Sequence, residues 1–310
     1  MKNALFGGVN VAVLTPMDAD LTPDLDRMAA HCRWLLANGA NGLGILGTTG
    51  EANSLGISER LALMEGIVAR GIPVSRLLPG LGTTAITDTV LLLRRAAELG
   101  CRGALLLPPF FYKNPSEDGL FAYFSAVIDR ALGRRAGTEL AIYLYHFPAQ
   151  SAVPFTVPLI ARLRAAFPGV IRGIKDSSGD FANTRAYVDH FAADGFEVYC
   201  GDDGALHDLL TIGGAGSISA ASNVSSAINA EVYAHAGTAR AETAQARLSL
   251  IRKAVTSAPL IPGLKSLVAR HSGDAAWTHI RPPHLPLTPA QEAALFAAFD
   301  ACGFALPAAA

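Results

Sequence analysis

The feature that most constrains the fold is a repeated alternation of short apolar runs with longer amphipathic segments. Eight apolar runs are predicted strands, at residues 9–14, 42–46, 76–80, 103–107, 140–145, 170–175, 196–200 and 216–220. Helical patterns follow them at residues 24–37, 58–69, 84–99, 116–132, 157–167, 181–191, 204–210 and 225–236. Strands that alternate with helices in this way predict a parallel sheet.

The number and size of these units identify the architecture. Eight strand–helix units over residues 8–237 match an α/β fold, the (β/α)8 or TIM barrel. An open doubly wound sheet more often carries a Gly-rich turn after its first strand, where this chain has Leu14-Thr15-Pro16-Met17. We therefore predict a barrel over residues 1–237 that carries the active site, and a C-terminal helical extension over residues 238–310 with helices at 239–255, 260–271 and 289–300.

Composition restricts the class of protein. The chain has 310 residues, of which 51% are hydrophobic and 16% charged, so it can bury a large core and is not disordered over long stretches. Its net charge of −1 argues against a nucleic-acid-binding surface, which usually shows a basic patch. The expected partner is a small molecule.

The lack of a recognisable targeting signal and the spacing of the cysteines predict a cytoplasmic location. The apolar start of the chain runs directly into Pro16 and Asp18 without the cleavage pattern of a signal peptide. The uncharged run at residues 209–230 is mostly small and polar, unlike a transmembrane helix. The four cysteines lack C-x-x-C spacing, so we expect buried thiols in a reducing compartment rather than zinc ligands or disulfides.

Lys175 is the first candidate for chemistry. In a TIM barrel the active site lies at the C-terminal ends of the strands, and Lys175 ends predicted strand six. A desolvated lysine can lose its proton and attack a carbonyl, which an arginine cannot do. The alternative is a structural ion pair with Asp176 or another carboxylate. Tyr145 ends the adjacent strand, where its phenol can shuttle protons during imine formation and carbon–carbon cleavage.

Three other segments at predicted strands carry weaker signals. Gly47-Thr48-Thr49-Gly50 offers hydroxyls and backbone N–H groups to a carboxylate, or simply makes a turn, and Glu51 after it can pair or cap. The Gly-rich run at residues 213–216 can hold a phosphate, but it has no basic neighbour and favours close backbone packing instead. His146 lacks metal-ligand spacing and is expected to be a hydrogen-bonded wall residue.

Taken together, the strand-end motifs resemble the dihydrodipicolinate synthase and N-acetylneuraminate lyase family of pyruvate-dependent class I aldolases. The resemblance covers nearly the whole chain. It rests on four motifs in order: Gly47-Thr-Thr-Gly-Glu51, Tyr145-x-x-Pro148, Gly173-Ile-Lys-Asp-Ser-Ser178, and Gly201-Asp-Asp203 followed by Gly216-Ser-Ile-Ser219. Each motif is modest alone, but four in order at predicted strand ends make a specific signal.

The resemblance implies a role for each residue of the site. Lys175 forms an imine with a 2-keto acid, and Tyr145 is the central proton shuttle. Thr48 and Thr49 hold the carboxylate of the keto acid, and Thr49 also links Tyr145 to a second tyrosine lent by a neighbouring subunit.

The resemblance also implies how the pocket is lined and how the chain assembles. Gly201 and Ile218 line the pocket through their backbone. The family commonly forms tetramers built from dimers that share active-site tyrosines, so we expect a homo-oligomer, either a dimer or a tetramer. The apolar loop at residues 108–112 suits a subunit contact or a lid.

Two positions depart from the family's pattern. The lent tyrosine falls at Phe111 when counted from Pro109 and at Tyr112 when counted from Pro115, and Tyr112 is preferred because a phenylalanine cannot relay a proton. Dihydrodipicolinate synthases carry an arginine two residues after the proline of the Tyr-x-x-Pro motif, where it binds the aldehyde's carboxylate. This chain has Gln150 there, and a neutral amide forfeits the charge-assisted pair.

The resulting hypothesis is a Schiff-base class I aldolase that acts on a 2-keto-3-deoxy sugar acid and releases pyruvate, or condenses it with an aldehyde. No metal or organic cofactor is required, since the protonated imine is the electron sink. The alternatives are a keto-deoxy-acid dehydratase of the same family, a dihydrodipicolinate synthase, and a catalytically silent keto-acid-binding protein. A chelator-sensitive activity without borohydride trapping would indicate a metal-dependent aldolase instead.

Overall fold

The computed structural model describes residues 4–133 and 139–308. Within these ranges seven strands form one parallel sheet: β1 Gly8–Ala12, β2 Gly42–Gly44, β3 Gly103–Leu106, β4 Ala141–His146, β5 Ile171–Asp176, β6 Glu197–Cys200 and β7 Gly216–Ser219. Their order in the sheet is β2-β1-β7-β6-β5-β4-β3. Sequential strands lie side by side from β3 to β7, and β1 pairs with both β7 and β2.

The eighth position of the barrel is occupied by an irregular segment, so the prediction of a strand over residues 76–80 is wrong in its form. Val74–Arg76 is a 3-10 turn, and beyond it only Leu77 and Gly80 form isolated parallel bridges, with β2 and β3 respectively. Pro79 lies between them and has no backbone N–H to donate, which prevents a continuous ladder.

Backbone hydrogen bonds nevertheless join this segment to both neighbours. Leu78 N donates to Leu43 O of β2 at 2.9 Å, and Leu105 N of β3 donates to Pro79 O at 2.9 Å. The segment therefore bridges the two edge strands of the sheet. The predicted fold class, a TIM barrel with a C-terminal helical extension, is confirmed.

The helices lie where the periodicity predicts them, with one addition. They are α1 Leu25–Ala37, α2 Ile57–Ala69, α3 Ile86–Leu99, α4 Glu117–Ala131, α5 Pro148–Ser151, α6 Val157–Ala166, α7 Phe181–Phe191, α8 Leu206–Thr211 and α9 Ser226–Ala234. Side chains cap several of them: Asp24 accepts from Arg27 N at the start of α1, and Ser116 accepts from Gly119 N at the start of α4. The one-turn helix α5 escapes the sequence pattern because it is too short to show a period.

Three more helices form the C-terminal extension: α10 Ala239–Val255, α11 Leu260–Ser272 and α12 Pro289–Asp300. α10 packs against α9, and α11 and α12 pack against α10 and each other. The division of the chain at residue 237 stays a prediction. All four cysteines are free, and none of the described helices is long and apolar enough to cross a membrane.

The barrel interior at the N-terminal ends of the strands is closed by a polar network around Glu197. The hydroxyls of Tyr143 and Tyr199 both donate to Glu197 Oε2, at 2.9 and 2.6 Å. Arg172 Nε and Leu5 N both donate to Oε1 at 2.9 Å. Burial, together with the charge of Glu197, raises the pKa of both phenols, so they remain protonated donors.

Candidate active site

A cavity of about 540 Å³ opens at the C-terminal ends of the strands. This is the end of the barrel where TIM-barrel enzymes place their chemistry, and the volume suits a small molecule. Six of the eight predicted site residues line it: Thr48, Thr49, Tyr145, Gln150, Lys175 and Gly201. The other two, Tyr112 and Ile218, do not.

Lys175 and Tyr145 lie side by side on neighbouring strands. They are register partners of the β5–β4 ladder, and Lys175 Nζ is 4.2 Å from the centre of the Tyr145 ring. Both residues are only 6% exposed although they line the cavity. Among the residues that the structure describes, no carboxylate lies within 4.0 Å of Lys175 Nζ. The amino group of Lys175 is therefore buried beside a phenol and has no ion-pair partner among the described residues.

Asp176, the carboxylate next to Lys175 in the chain, is engaged elsewhere. Its Oδ1 accepts from Ser178 N at 2.8 Å, and its Oδ2 accepts from Asn183 Nδ2 at 2.9 Å and Thr184 Oγ1 at 2.7 Å. Successive side chains of a strand point to opposite faces, which explains why Asp176 faces α7 while Lys175 faces the cavity. The structural ion pair between Lys175 and Asp176, the alternative interpretation of the sequence, is not formed.

The Gly47–Gly50 loop presents its two threonines to the cavity. Thr15 Oγ1 donates to Gly50 O at 2.8 Å, and a Cβ on Gly50 would lie 2.9 Å from Val13 O, so the loop packs closely on the end of β1. Within the described part of the chain, the hydroxyls of Thr48 and Thr49 make no hydrogen bond. They are free to bind a ligand, and no bond joins Thr49 to Tyr145.

Glu51, directly after this loop, forms a buried ion pair that the sequence does not reveal. Its Oε1 lies 2.5 Å from Lys265 Nζ of α11, and both side chains are essentially inaccessible to solvent. Lys265 Nζ also donates to His279 O, and Arg281 N donates to Glu51 Oε2. Burial lowers the pKa of Lys265, whereas the charge of Glu51 opposes that shift. Through the ion pair with Lys265 and the hydrogen bond from Arg281 N, the C-terminal extension fixes Glu51 and with it the end of the Gly47–Gly50 loop, which we call the threonine loop.

The C-terminal extension also supplies part of the cavity wall, which sequence reasoning missed. Its contributions are Arg252 from α10, His284, and the segment 259–262 at the start of α11. The proline-bounded apolar run at residues 258–262, which follows α10 and leads into α11, was the available signal, because such a run has to pack against another surface.

Arg252 faces two aspartates at the end of β6. Its Nε lies 3.4 Å from Asp202 Oδ1, and its Nη1 lies 3.7 Å from Asp203 Oδ1. Asp203 is completely buried, and this burial raises its pKa, whereas Arg252 acts in the opposite direction.

Of the two residues expected to line the cavity through their backbone, Gly201 lines it and Ile218 does not. A Cβ on Gly201 would lie 1.9 Å from Ser177 Oγ, so only glycine fits without displacing that serine. Ile218 is fully buried in the inner cluster with Tyr145 and Tyr199, and Ala220, two residues further on, reaches the cavity instead. The backbone role of Ile218 stays a prediction.

The two candidates for the shared tyrosine both lie on the surface of the chain. Tyr112 is 77% exposed and Phe111 70%, and their rings meet edge to face with centres 5.2 Å apart. Neither residue lines the cavity. Because the role requires a neighbouring subunit, the preference for Tyr112 stays a prediction.

Two weaker sequence signals prove to be structural. His146 is buried, and its Nδ1 accepts from Phe155 N at 3.0 Å, so it is a hydrogen-bonded residue outside the cavity lining. Gly216, in the Gly-rich run, starts β7, where a Cβ would lie 1.9 Å from Gly8 O, so this position serves close backbone packing. Among the described residues, no group of three or more His, Cys, Asp or Glu side chains is placed to hold a metal ion.

Comparison with known proteins identifies the family of the chain. The model of the dihydrodipicolinate synthetase family matches residues 5–301. An uncharacterised DapA-like lyase of Chloroflexus aurantiacus is 35% identical over 296 residues, which are 94% of this chain and 96% of the relative. The 4-hydroxy-tetrahydrodipicolinate synthase of Bacillus subtilis is 30% identical and covers 91% of this chain and 94% of its own.

Solved structures show the same fold. Dihydrodipicolinate synthase from Agrobacterium tumefaciens superimposes with a TM-score of 0.85 at 34% identity, covering 95% of this chain and 99% of its own. YagE of E. coli K12, a protein of the same family in complex with pyruvate, gives 0.87 at 29% identity over 97% and 100% of the two chains. The chain therefore belongs to the dihydrodipicolinate synthetase family and has the barrel fold of its lyases.

Proposed function

We propose that the protein is a Schiff-base lyase that cleaves or forms a 2-keto-3-deoxy sugar acid, with pyruvate as the common product or nucleophile. The observation that carries this proposal is Lys175, a buried lysine without an ion-pair partner that lies against Tyr145 in the cavity. A lysine without a carboxylate partner at the end of a barrel strand is placed to act as a nucleophile. The pyruvate complex of YagE supports a 2-keto acid as the ligand.

The reaction follows from the positions of these groups. Lys175 Nζ attacks C2 of the keto acid, and Tyr145 donates the proton with which the carbinolamine hydroxyl leaves as water, so that a protonated imine and a phenolate remain. Tyr145 removes the proton of the C4 hydroxyl, the C3–C4 bond breaks, and its electron pair moves into the iminium to give an enamine and an aldehyde. Protonation at C3 and hydrolysis then release pyruvate and restore the lysine. The hydroxyls of Thr48 and Thr49 hold the carboxylate of the keto acid throughout.

The imine supplies the electron sink, so the proposed reaction needs no metal or organic cofactor. We further propose a homo-oligomer in which Tyr112 of one subunit reaches the cavity of its neighbour. The exposed aromatic pair Phe111 and Tyr112 supports this, because large apolar side chains at such exposure favour a contact surface.

A second candidate function is dihydrodipicolinate synthesis, which the name of the Bacillus subtilis relative supports. Gln150 lies on α5 and lines the cavity, where its amide offers no positive charge to the carboxylate of an aspartate-semialdehyde-like substrate. We therefore place this reaction second. A dehydratase would use the same imine but expel a hydroxyl group instead of breaking a carbon–carbon bond.

The decisive experiment combines trapping with a substrate panel. Borohydride reduction in the presence of pyruvate is expected to add mass at the peptide that contains Lys175, and Lys175→Arg should abolish the adduct. Lys253→Arg is the matched control, because Lys253 is exposed on α10 and should leave trapping unchanged.

The panel contains keto-deoxy sugar acids and, separately, pyruvate with aspartate semialdehyde. Pyruvate release from the first group supports the proposal. Formation of keto acids that retain all their carbons indicates the dehydratase, and rapid condensation with the semialdehyde indicates the synthase. Pyruvate binding without turnover of any substrate points to a silent binding protein.

A further inference from the structure

We propose that Arg252 and Asp202 recognise the distal hydroxyl groups of the substrate, and that this pair selects a keto acid with one carboxylate over a dicarboxylate. The inference rests on the proposed function, because it concerns the part of the cavity beyond the imine. It assigns a specificity role to Arg252, which belongs to the C-terminal extension and not to a barrel strand.

The first observation is that Arg252 has unused hydrogen-bond donors. Its side chain is 21% exposed and lines the cavity, and its contacts to Asp202 and Asp203 are long, at 3.4 and 3.7 Å. Guanidinium–carboxylate hydrogen bonds are shorter, at about 2.7–2.9 Å. Among the described residues, the Arg252 guanidinium donates no hydrogen bond, so its N–H groups are available to a ligand.

The second observation is the balance of charge in the cavity. The charged residues in its lining are Glu51, Lys175, Asp202 and Arg252. Glu51 is neutralised by Lys265, and Lys175 is the proposed imine nucleophile. Among the described lining residues Arg252 is thus the remaining permanently charged cation, beside the titratable His284, and two aspartates already lie within 4.0 Å of it. A second carboxylate on the substrate would be repelled by Asp202, and this repulsion offsets its attraction to Arg252.

The third observation is that Asp202 offers an acceptor beside these donors. Its Oδ1 accepts from Gly204 N at 2.8 Å, and its side chain is 52% exposed, so the second oxygen is available. A hydroxyl group both donates and accepts. Neighbouring hydroxyls can therefore accept from Arg252 and donate to Asp202, which a carboxylate cannot do.

Two substrates that differ only at the distal end test this proposal: 2-keto-3-deoxygluconate and the corresponding keto-deoxy aldarate, which ends in a second carboxylate. The wild-type protein should favour the first in kcat/KM. Arg252→Gln should raise KM for 2-keto-3-deoxygluconate about tenfold, the loss of roughly one charged hydrogen bond, with a smaller change in kcat. Pyruvate trapping at Lys175 should be unchanged.

Asp202→Asn provides the opposite test, because an asparagine keeps the hydrogen bond to Gly204 N but removes the negative charge. This variant should gain about tenfold in kcat/KM for the aldarate relative to the gluconate-derived substrate. Lys253→Gln, one residue along α10 and exposed, should leave both constants unchanged. Thermal unfolding of each variant identifies losses that come from misfolding, and Arg252→Lys serves as the conservative replacement if Arg252→Gln misfolds.

The outcomes separate the two proposals. Normal trapping together with an unchanged KM in Arg252→Gln, a wild-type preference for the aldarate, or turnover of neither substrate would overturn the role of Arg252 and Asp202 and leave the lysine chemistry standing. Absence of trapping in the wild-type protein would overturn the proposed function and this inference with it.

Discussion

The polar side chains at the two ends of the barrel interior differ in whether they have hydrogen-bond or ion-pair partners. At the N-terminal end, both oxygens of Glu197 accept two hydrogen bonds each, so the carboxyl group is fully paired within the protein. At the C-terminal end, Lys175 has no ion-pair partner within the described chain, and the hydroxyls of Thr48 and Thr49 make no hydrogen bond there. Buried polar groups are normally paired, so the unpaired end is the one prepared for a ligand.

Two tyrosines of one strand show the contrast most directly. Tyr143 and Tyr145 are two residues apart on β4 and share its inward face. The hydroxyl of Tyr143 donates to Glu197, whereas the Tyr145 ring lies against Lys175 and borders the cavity. The same residue type therefore stabilises the fold at one end and is available for proton transfer at the other.

The largest expected effect is at the unpaired end. Lys175→Arg keeps the positive charge but cannot form an imine, so turnover should fall by about 10⁴-fold or more, which corresponds to about 5.5 kcal/mol in activation free energy. The melting temperature should change little, because Lys175 has no ion pair to lose. Initial rates and thermal unfolding measure the two quantities, and activity within tenfold of wild type would contradict the nucleophile assignment.

The ion pair behind the threonine loop should show the next largest effect, on stability. Lys265→Met leaves the buried carboxylate of Glu51 without its counter-ion and should lower the free energy of unfolding by about 3–5 kcal/mol in urea titrations. Adding Glu51→Gln removes both charges and should recover part of that loss. Lys253→Met is the exposed control, with an expected change within about 0.5 kcal/mol. A double variant as unstable as Lys265→Met would show that charge pairing is not the cause.

A substitution at the N-terminal end of the barrel, where Glu197 is fully paired, should lower stability without lowering catalysis. In Glu197→Gln one carboxylate oxygen becomes an NH₂ group that faces two donors, so the free energy of unfolding should fall by about 3 kcal/mol. The kcat/KM of the folded protein should stay within a few fold of wild type, because the network lies at the opposite end of the barrel. A large loss of kcat/KM without destabilisation would break the contrast between the two ends.

His31 on α1 provides a test of a buried group whose charged form is disfavoured by desolvation. Burial lowers its pKa to about 4, and its Nε2 lies 3.0 Å from Asn223 Oδ1. Between pH 6.5 and 4 the unfolded chain binds more protons at this histidine than the folded chain does. The free energy of unfolding should therefore decrease as the pH falls, by up to about 3 kcal/mol at pH 4. His31→Gln should flatten this part of the unfolding profile. An unchanged slope in the variant would assign the pH dependence to other groups.

The sequence predicted the barrel and the central pair of the site for the same reason. Strand and helix periods are local properties, and in a barrel consecutive strands are neighbours, so residues that end consecutive strands become adjacent. Tyr145 and Lys175 are such residues, and the β4–β5 register pairs them directly. Gly201 and the threonine loop reach the cavity by the same rule, because they also follow strand ends.

Other features depended on contacts that no local pattern contains. The segment at residues 77–80 forms one isolated bridge to β2 and one to β3, which join it to the barrel without a regular strand, and Ile218 is turned inward by its place on β7. Glu51 and Lys265, and Arg252 and Asp202, are far apart in the chain and meet only because the C-terminal helices fold back over the strand ends. Periodicity and strand order determined the fold and the adjacency of Tyr145 and Lys175, because both are local properties of consecutive strands, whereas the tertiary packing of distant charged side chains decided how the wall of the cavity is built.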